Sequence, residues 1–370
     1  MLNLEWDIGT LILYIAIIFF TYILGLLSNR KTLSKVGNIY EYKLNRIYFT
    51  LAFLIFFIFS AIRSIGTDYK VYEDIFLSSN NKSDVSIFGI EPGFVLLNRV
   101  IHFFTSSAYV YFSIISFITI YFVFATFKKF HGELNLGIAF LVYSSLYYFQ
   151  SYSLVRVYLV SSIILYSFSL LLEKKFLKYF FFLIISATLH FSTVLLIFPL
   201  FGIYLYSKKK YLFYGFVFLT IFTCYKFSSF IILLNISERY TGYLENIDKN
   251  VSFGFAQFFI FAPILFFLYI SRKQQLLENW TIDIFTVFTW SAFLFGMMGY
   301  WIPTIGRINY ILTYPFILFL PFFLHALKGK KYYYLYYNFV ILYLIIGIYT
   351  YFSALAFADG INSYSTIFNN

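Results

Sequence analysis

A chain of 370 residues that is 61% hydrophobic and 12% charged, with a mean hydropathy of +0.80, has too little polar side chain to clothe a soluble globule and reads as a polytopic membrane protein. Its net charge of +11 does not signal nucleic-acid binding, because the basic residues are scattered over short loops between apolar runs. The single cysteine, Cys224, excludes an internal disulfide and a thiolate metal cluster.

The first apolar run, Ile8 to Leu27, follows Glu5 and Asp7 instead of a basic leader, so it is expected to remain as the first span. Runs of the length needed to cross about 30 Å of hydrocarbon at about 1.5 Å per residue continue at Leu44 to Ile62, Ala108 to Phe127, Leu134 to Phe149 and Leu154 to Leu172. Further runs are Tyr211 to Tyr225, Phe253 to Ile270, Ile282 to Tyr300, Ile308 to Ala326 and Tyr332 to Phe352. Between the basic clusters at Lys174, Lys175 and Lys178 and at Lys208 to Lys210 there is room for two short crossings within Phe176 to Tyr206. His190 and Ser192 lie near their apex, and a re-entrant hairpin is the alternative. The expected fold class is all-α: a polytopic integral membrane protein with about twelve transmembrane or part-spanning helices, forming one transmembrane domain over residues 1–370.

Placing the basic loops inside puts 18 of the 27 lysines and arginines in the cytoplasm and both termini outside. The inner set is lysine-rich, 15 to 3, whereas the outer set holds five arginines: Arg63, Arg99, Arg156, Arg239 and Arg307. A guanidinium offers a planar fork that grips phosphate bidentately, so arginine placed where topology does not demand it points to a phosphate-bearing anion outside the membrane. The outer-face loops 63–107 and 226–252 are expected to form part of the active-site face.

Two outer segments are read as short interfacial helices. In AIRSIGTDYKVYEDI, Thr67 can cap a helix whose first turn favours Asp68; a solvated connector is the plain alternative. In EPGFVLLNRVIHFF, proline stands near a helix start and Phe94, Leu97, Ile101 and Phe104 recur at helical spacing. Arg99 also suits a phospholipid headgroup, and His102 reads as an ordinary interfacial aromatic. Arg156 lies just inside a span, where a charge costs at least roughly 2.5 kcal/mol unless it faces a cavity, a partner or the headgroups.

In this order, R-x-x-G-T-D-Y-x-x-Y at Arg63 to Tyr72, E-P-G-F at Glu91 to Phe94, the span led by Arg156, A-x-L-H-F-S at Ala187 to Ser192 and G-R-x-x-Y at Gly306 to Tyr310 resemble the Wzy-type polysaccharide polymerases, in the branch of the exopolysaccharide protein EpsG. Val157 stands where such proteins usually carry glutamine. The resemblance implies a glycosyltransferase of O-antigen, capsule or exopolysaccharide synthesis in the bacterial cytoplasmic membrane, with its site facing the periplasm or cell exterior. It would join undecaprenyl-diphosphate-linked repeat units, donor and acceptor, and a chain-length regulator is a possible partner. On that reading Arg63, Arg156 and Arg307 clamp the leaving diphosphate, and Arg99 and Arg239 serve the second lipid or the entry. Asp68 or His190 is the base, and Tyr69, Tyr72, Glu91 and Tyr310 contact sugar. Direct displacement would invert the anomeric centre. No cofactor is called for, and no metal site is expected, because no D-x-D occurs and the outer carboxylates lack ligand spacing. Two alternatives stay open: an O-antigen ligase using the same donor, and a flippase, which would place charge at midplane and show symmetric halves.

Overall fold

In the computed structural model, residues 6–33, 40–79, 90–233, 256–299, 308–356 and 360–368 are described. In chain order the helices are α1 (Ile8–Ser28), α2 (Arg46–Ala61), α3 (Tyr69–Ser78), α4 (Pro92–Phe104), α5 (Ala108–Lys129), α6 (Leu136–Tyr143), α7 (Val155–Leu172), α8 (Phe176–Leu189), α9 (Ile197–Lys208), α10 (Lys210–Leu233), α11 (Ala256–Lys273), α12 (Asn279–Met298), α13 (Ile308–Thr313), α14 (Phe316–Leu327) and α15 (Tyr333–Thr350). This is the all-α, multi-pass architecture expected from hydropathy. Among the described residues seven helical stretches are long and apolar enough to span a membrane, and Arg46–Ala61, Pro92–Phe104, Phe176–Leu189 and Lys210–Phe222 are shorter apolar helices. One element was not foreseen: the loop after α1 forms an antiparallel hairpin, β1 (Asn29–Leu33) with β2 (Tyr40–Leu44).

One expected single span is broken. The run Leu134 to Phe149 is α-helical only to Tyr143, then widens into a π turn, Ser144–Tyr148, and tightens into a 3₁₀ turn, Phe149–Tyr152. Serine hydroxyls explain the change: Ser144 Oγ and Ser145 Oγ both donate to the Leu141 carbonyl, at 3.1 and 2.6 Å, in competition with the helical ladder. The run Ile308 to Ala326 is present as one candidate span, Ile308–Leu327, with a turn at Tyr314 and Pro315 between α13 and α14, since proline lacks the donor and disfavours the helical region for the residue before it.

The chain divides into two compact units, Met1–Ser169 with Ile317–Asn370, and Leu170–Phe316. In the first unit α1 lies against α6 at a glycine contact. A Cβ on Gly25 would come within 2.6 Å of the Leu136 carbonyl oxygen and 2.8 Å of Gly137 Cα. Beside it, Phe49, Phe53 and Phe56 of α2 interleave with Phe124 of α5, and Phe49 and Phe56 also meet Phe140 of α6, at centroid separations of 5.0 to 6.3 Å. Tyr148 closes this core by donating to the Phe56 carbonyl at 2.6 Å.

Residues 360–368 run back over the same end of the unit. The Ile367 amide donates to the Ile62 carbonyl and the Ser64 amide to the Ser365 carbonyl, each at 3.0 Å, around an antiparallel bridge between Arg63 and Thr366. Tyr364 donates its hydroxyl to the Phe59 carbonyl, and its amide donates to Thr10 Oγ1, both at 2.7 Å. The Asp7 amide reaches the Asn362 carbonyl at 3.2 Å. The start of α1, the end of α2 and the tail are therefore stitched into one platform.

In the second unit α12 is buried along nearly its whole length, and α9 approaches it at Gly202, where a Cβ would meet Val287 Cγ1 at 2.9 Å. Arg272 pairs with Asp283 and donates to the Tyr206 hydroxyl at 3.1 Å. The expected pair of short helices is present as α8 and α9, separated by an extended residue, His190, and a 3₁₀ turn, Phe191–Leu196.

The glycine contact is open to test. Gly25→Val should lower the unfolding free energy of the detergent-solubilised protein by about 2 to 3 kcal/mol, because the added atoms meet the α6 backbone as well as the Phe140 ring. Gly215→Ala, at a helical position with open space around it, should leave the melting temperature unchanged or slightly raised. Differential scanning fluorimetry of the two variants decides the matter.

Candidate active site around Arg63 and Arg156

Helix α2 ends at Ala61 and leaves carbonyl oxygens pointing out of its last turn, the negative end of the helix dipole. Arg63 folds back onto that end. It is 2% exposed, and its Nη1 donates to the Ser60 carbonyl, to Ser60 Oγ at 3.1 Å and to Ser116 Oγ at 3.1 Å. Its Nη2 reaches the Ser151 carbonyl at 3.5 Å, and its guanidinium carbon lies 4.8 Å from the Tyr152 ring centre and 5.8 Å from that of Phe112. Among the described residues no carboxylate pairs with it. A polar cavity of about 10 Å³, room for one water, adjoins it and is lined in part by Ser60, Ser116, Thr119 and Ser151.

Three residues on, Gly66 has φ +115°. A Cβ there would run into the Tyr152 carbonyl, so the position requires glycine both for its conformation and for its closeness to that backbone. The Thr67 amide then donates to Ser153 Oγ at 2.9 Å, and the two hydroxyls lie 3.0 Å apart. Asp68 stands immediately ahead of α3, half-buried, and its carbonyl accepts from the Tyr72 amide at 3.0 Å; its side chain makes no capping bond. The Tyr69 ring stacks on Phe112 at 4.1 Å, and burial together with the Glu73 carboxylate pushes its phenol up to about 12. Lys70, Glu73 and Asp74 form an exposed network, and the hydrogen bond to Glu73 raises the lysine.

Arg156, two positions into α7, is presented differently. Its Nη1 meets Glu91 Oε2, the residue that opens α4, in an ion pair whose two side chains are each 14% exposed. Its guanidinium lies 5.5 Å from the Phe94 ring centre, and Phe94 meets Tyr72 edge-on at 5.9 Å. Its Nε has no protein acceptor. Arg99 turns away and donates Nε to the Ser79 carbonyl at 2.9 Å, tying α4 to the end of α3. His102 packs 5.0 Å from the Phe76 ring.

Two residues enter this cluster without having been singled out. Asn98 is fully buried with neither end of its amide paired to protein, and Tyr111, also fully buried, stacks on Phe76 at 4.5 Å with its hydroxyl unpaired. Tyr111 lies within electrostatic reach of Tyr72, Arg156 and Arg63. A signal for Asn98 existed: the buried stripe of α4 is Phe94, Asn98 and Ile101, and not the expected Phe94, Leu97, Ile101 and Phe104, so an amide occupies an apolar stripe at i+4 from Phe94. Nothing in the sequence marks Tyr111 among 37 tyrosines.

The first unit thus holds Arg63, Asp68, Tyr69, Tyr72, Glu91, Arg99 and Arg156, the last grouped with Glu91, Phe94 and Tyr72. His190 and Tyr310 belong to the second unit. There His190 is buried and extended at the end of α8, and its carbonyl accepts from the Thr193 amide at 3.1 Å and hydroxyl at 2.9 Å. Arg239 and Arg307 lie outside the described residues. Among the described residues no three His, Cys, Asp or Glu side chains gather as a metal-ligand set.

If Gly66 and Thr67 form the joint as described, Gly66→Ala should destabilise the protein by about 2 to 3 kcal/mol through strain and the carbonyl clash. Thr67→Val, which leaves the amide bond to Ser153 in place, should cost about 1 kcal/mol. Thermal unfolding of both variants measures the order, and an equal loss would remove the backbone argument.

The EpsG family model matches residues 46–366, from the first turn of α2 to the tail residue bridged to Arg63. No curated protein and no solved structure matches the chain. With most of its length inside that match and the multi-pass helical fold the family's sequence implies, the chain belongs to the EpsG family and is a polysaccharide-polymerase-like membrane protein.

Proposed function

We propose that the protein polymerises glycan repeat units carried on a polyprenyl diphosphate at the outer face of the cytoplasmic membrane. The observation that carries the reading is the Arg156 cluster. It is a guanidinium with low exposure, set among Tyr72 and Phe94 rings and paired with a carboxylate, in a chain whose family polymerises polysaccharide. Breaking the bond between a sugar C1 and a diphosphate builds negative charge on the leaving oxygen, and a fixed cation in a poorly hydrated site stabilises that charge. The buried rings of Tyr72 and Phe94 flank the guanidinium and hold it in place.

In this reading the five outer arginines divide their work. Arg156 grips the donor diphosphate; from sequence alone, Arg307 is proposed for the same clamp and Arg239 for the second lipid or the entry. Arg99 positions α4 through Ser79. Arg63 spends its donors on the end of α2, so its part is to hold the Asp68–Tyr69 segment in place while lending its charge at a distance. Asp68 or His190 is the base proposed from sequence, and the transfer is a metal-independent, inverting displacement.

Incubating the purified protein with a defined lipid-linked repeat unit, with and without EDTA, should yield a ladder of products in both conditions. A single capped product without chain growth would instead mark a ligase, and none at all a carrier or non-catalytic role. Arg156→Lys keeps the charge and loses the fork, and should lower both substrate affinity and polymer length by about 10-fold or more. Wild-type elongation by that variant would remove Arg156 from the clamp.

A further inference from the structure

An arginine that holds a diphosphate needs donors left over for it, and its long stem has to be kept from wandering. The first turn of α4 provides for both at Arg156. The ion pair with Glu91 uses Nη1 alone. Nε is enclosed without a protein acceptor, whereas Nη2, which also bonds no described residue, is not enclosed. One end of the guanidinium is engaged, and the other is presented to an incoming ligand.

The group that engages it is itself firmly placed. Glu91 precedes Pro92, which keeps it out of the helical region, and it stands extended at φ −63° and ψ 139°. Its carbonyl accepts from the Phe94 amide at 3.0 Å and from the Val95 amide at 3.1 Å, which pins the backbone where α4 begins. Three residues on, the fully buried Phe94 ring lies 5.5 Å from the same guanidinium. A carboxylate at one end and a ring beside it leave a planar group little freedom to turn. The segment E-P-G-F, Glu91 to Phe94, is by this geometry a holder for an arginine 65 positions along the chain.

We infer that Glu91 is a positioning residue for the transfer: its carboxylate fixes the Arg156 guanidinium through Nη1, and the Nη2 end receives the donor's diphosphate while the ion pair stays in place. The inference rests on the polymerase reading above and deepens it. With the cation between them, the two anions are each closer to it than to one another, so attraction outweighs repulsion. A guanidinium can serve two anions at once because its donors point along separate edges, a division that an ammonium lacks. Glu91 takes no proton in this scheme.

Three variants of Glu91 differ in what they leave for Nη1. Glu91→Gln keeps an oxygen at the same reach, Glu91→Ala removes it, and Glu91→Asp stops one carbon short. A fluorescent polyprenyl diphosphate titrated into detergent-solubilised protein measures binding, and the defined lipid-linked repeat unit measures elongation. Glu91→Gln should stay within about threefold of wild type in both, with the pH dependence of elongation unchanged, while Glu91→Ala should lose about tenfold or more in affinity. A glutamine variant as impaired as the alanine one overturns the assignment, because charge or a proton would then matter and not orientation. So does an alanine variant that binds within about threefold of wild type.

A cycle with Arg156→Ala separates action through the arginine from action on the substrate itself. In that background Glu91→Ala should cause no further loss of binding, and losses that multiply overturn the assignment. If the alanine variant fails to fold, Glu91→Asp takes its place in both comparisons, with the same expected tenfold loss and the same overturning results. Wild type that binds the diphosphate yet elongates nothing ends the polymerase reading, while the binding cycle still decides whether Glu91 acts through Arg156. Wild type that binds no polyprenyl diphosphate overturns both.

Discussion

A buried cation has to find its compensation nearby, and Arg63 finds it in the carbonyl oxygens of Ser60 and Ser151, the hydroxyls of Ser60 and Ser116, and the faces of Tyr152 and Phe112. Those partners come from the end of α2, from α5 and from the 3₁₀ turn before α7, so satisfying one guanidinium draws three segments together. The neighbouring contacts follow from that convergence. Gly66 approaches the Tyr152 carbonyl, Thr67 bonds Ser153, and the tail lies down as a strand alongside Ile62 to Ser64. The motif R-x-x-G-T-D-Y at Arg63 to Tyr69 is thus largely a joint, and its acid and tyrosine are positioned by it.

The unevenness of α6 and its continuation belongs to the same design. A straight apolar helix through Phe149 would carry its backbone past Arg63 with every carbonyl already bonded. The serine-driven π and 3₁₀ turns instead free the Ser151 carbonyl and set Tyr152 and Ser153 against the joint. Irregular backbone of this kind is tolerated inside a membrane protein where neighbouring segments satisfy it, and here Arg63 and Thr67 are among those neighbours.

Arg63 and Arg156 illustrate how residue type and role separate. Both are guanidinium groups at the edge of an apolar span, and both lie against aromatic rings. One is consumed by carbonyls and is structural in consequence. The other is paired with the Glu91 carboxylate, and the buried, unpaired amide of Asn98 and hydroxyl of Tyr111 belong to the same cluster. Buried polar atoms without protein partners are costly, and they lie around both arginines: Arg63 Nε with the Tyr69 and Tyr152 hydroxyls, and Arg156 Nε with the Asn98 amide and the Tyr111 hydroxyl.

By itself the sequence determined the multi-pass helical class, nearly all helix positions, the helix break at His190 and the residues of the family motif, because hydrophobic run length and charge placement answer to the bilayer and not to tertiary detail. It also located α3 and α4 and drew attention to Arg63, Glu91 and Arg156. Which arginine faces inward could not be read there, since Arg63 and Arg156 have similar neighbours in the chain and differ only in what folds against them. The pairing of Glu91 with Arg156 spans 65 positions, and the tail's return to Ser64 spans about 300. Contacts at such separations leave no periodicity to detect; only the tertiary structure decides them, through the backbone groups and cations that each must satisfy once water is gone.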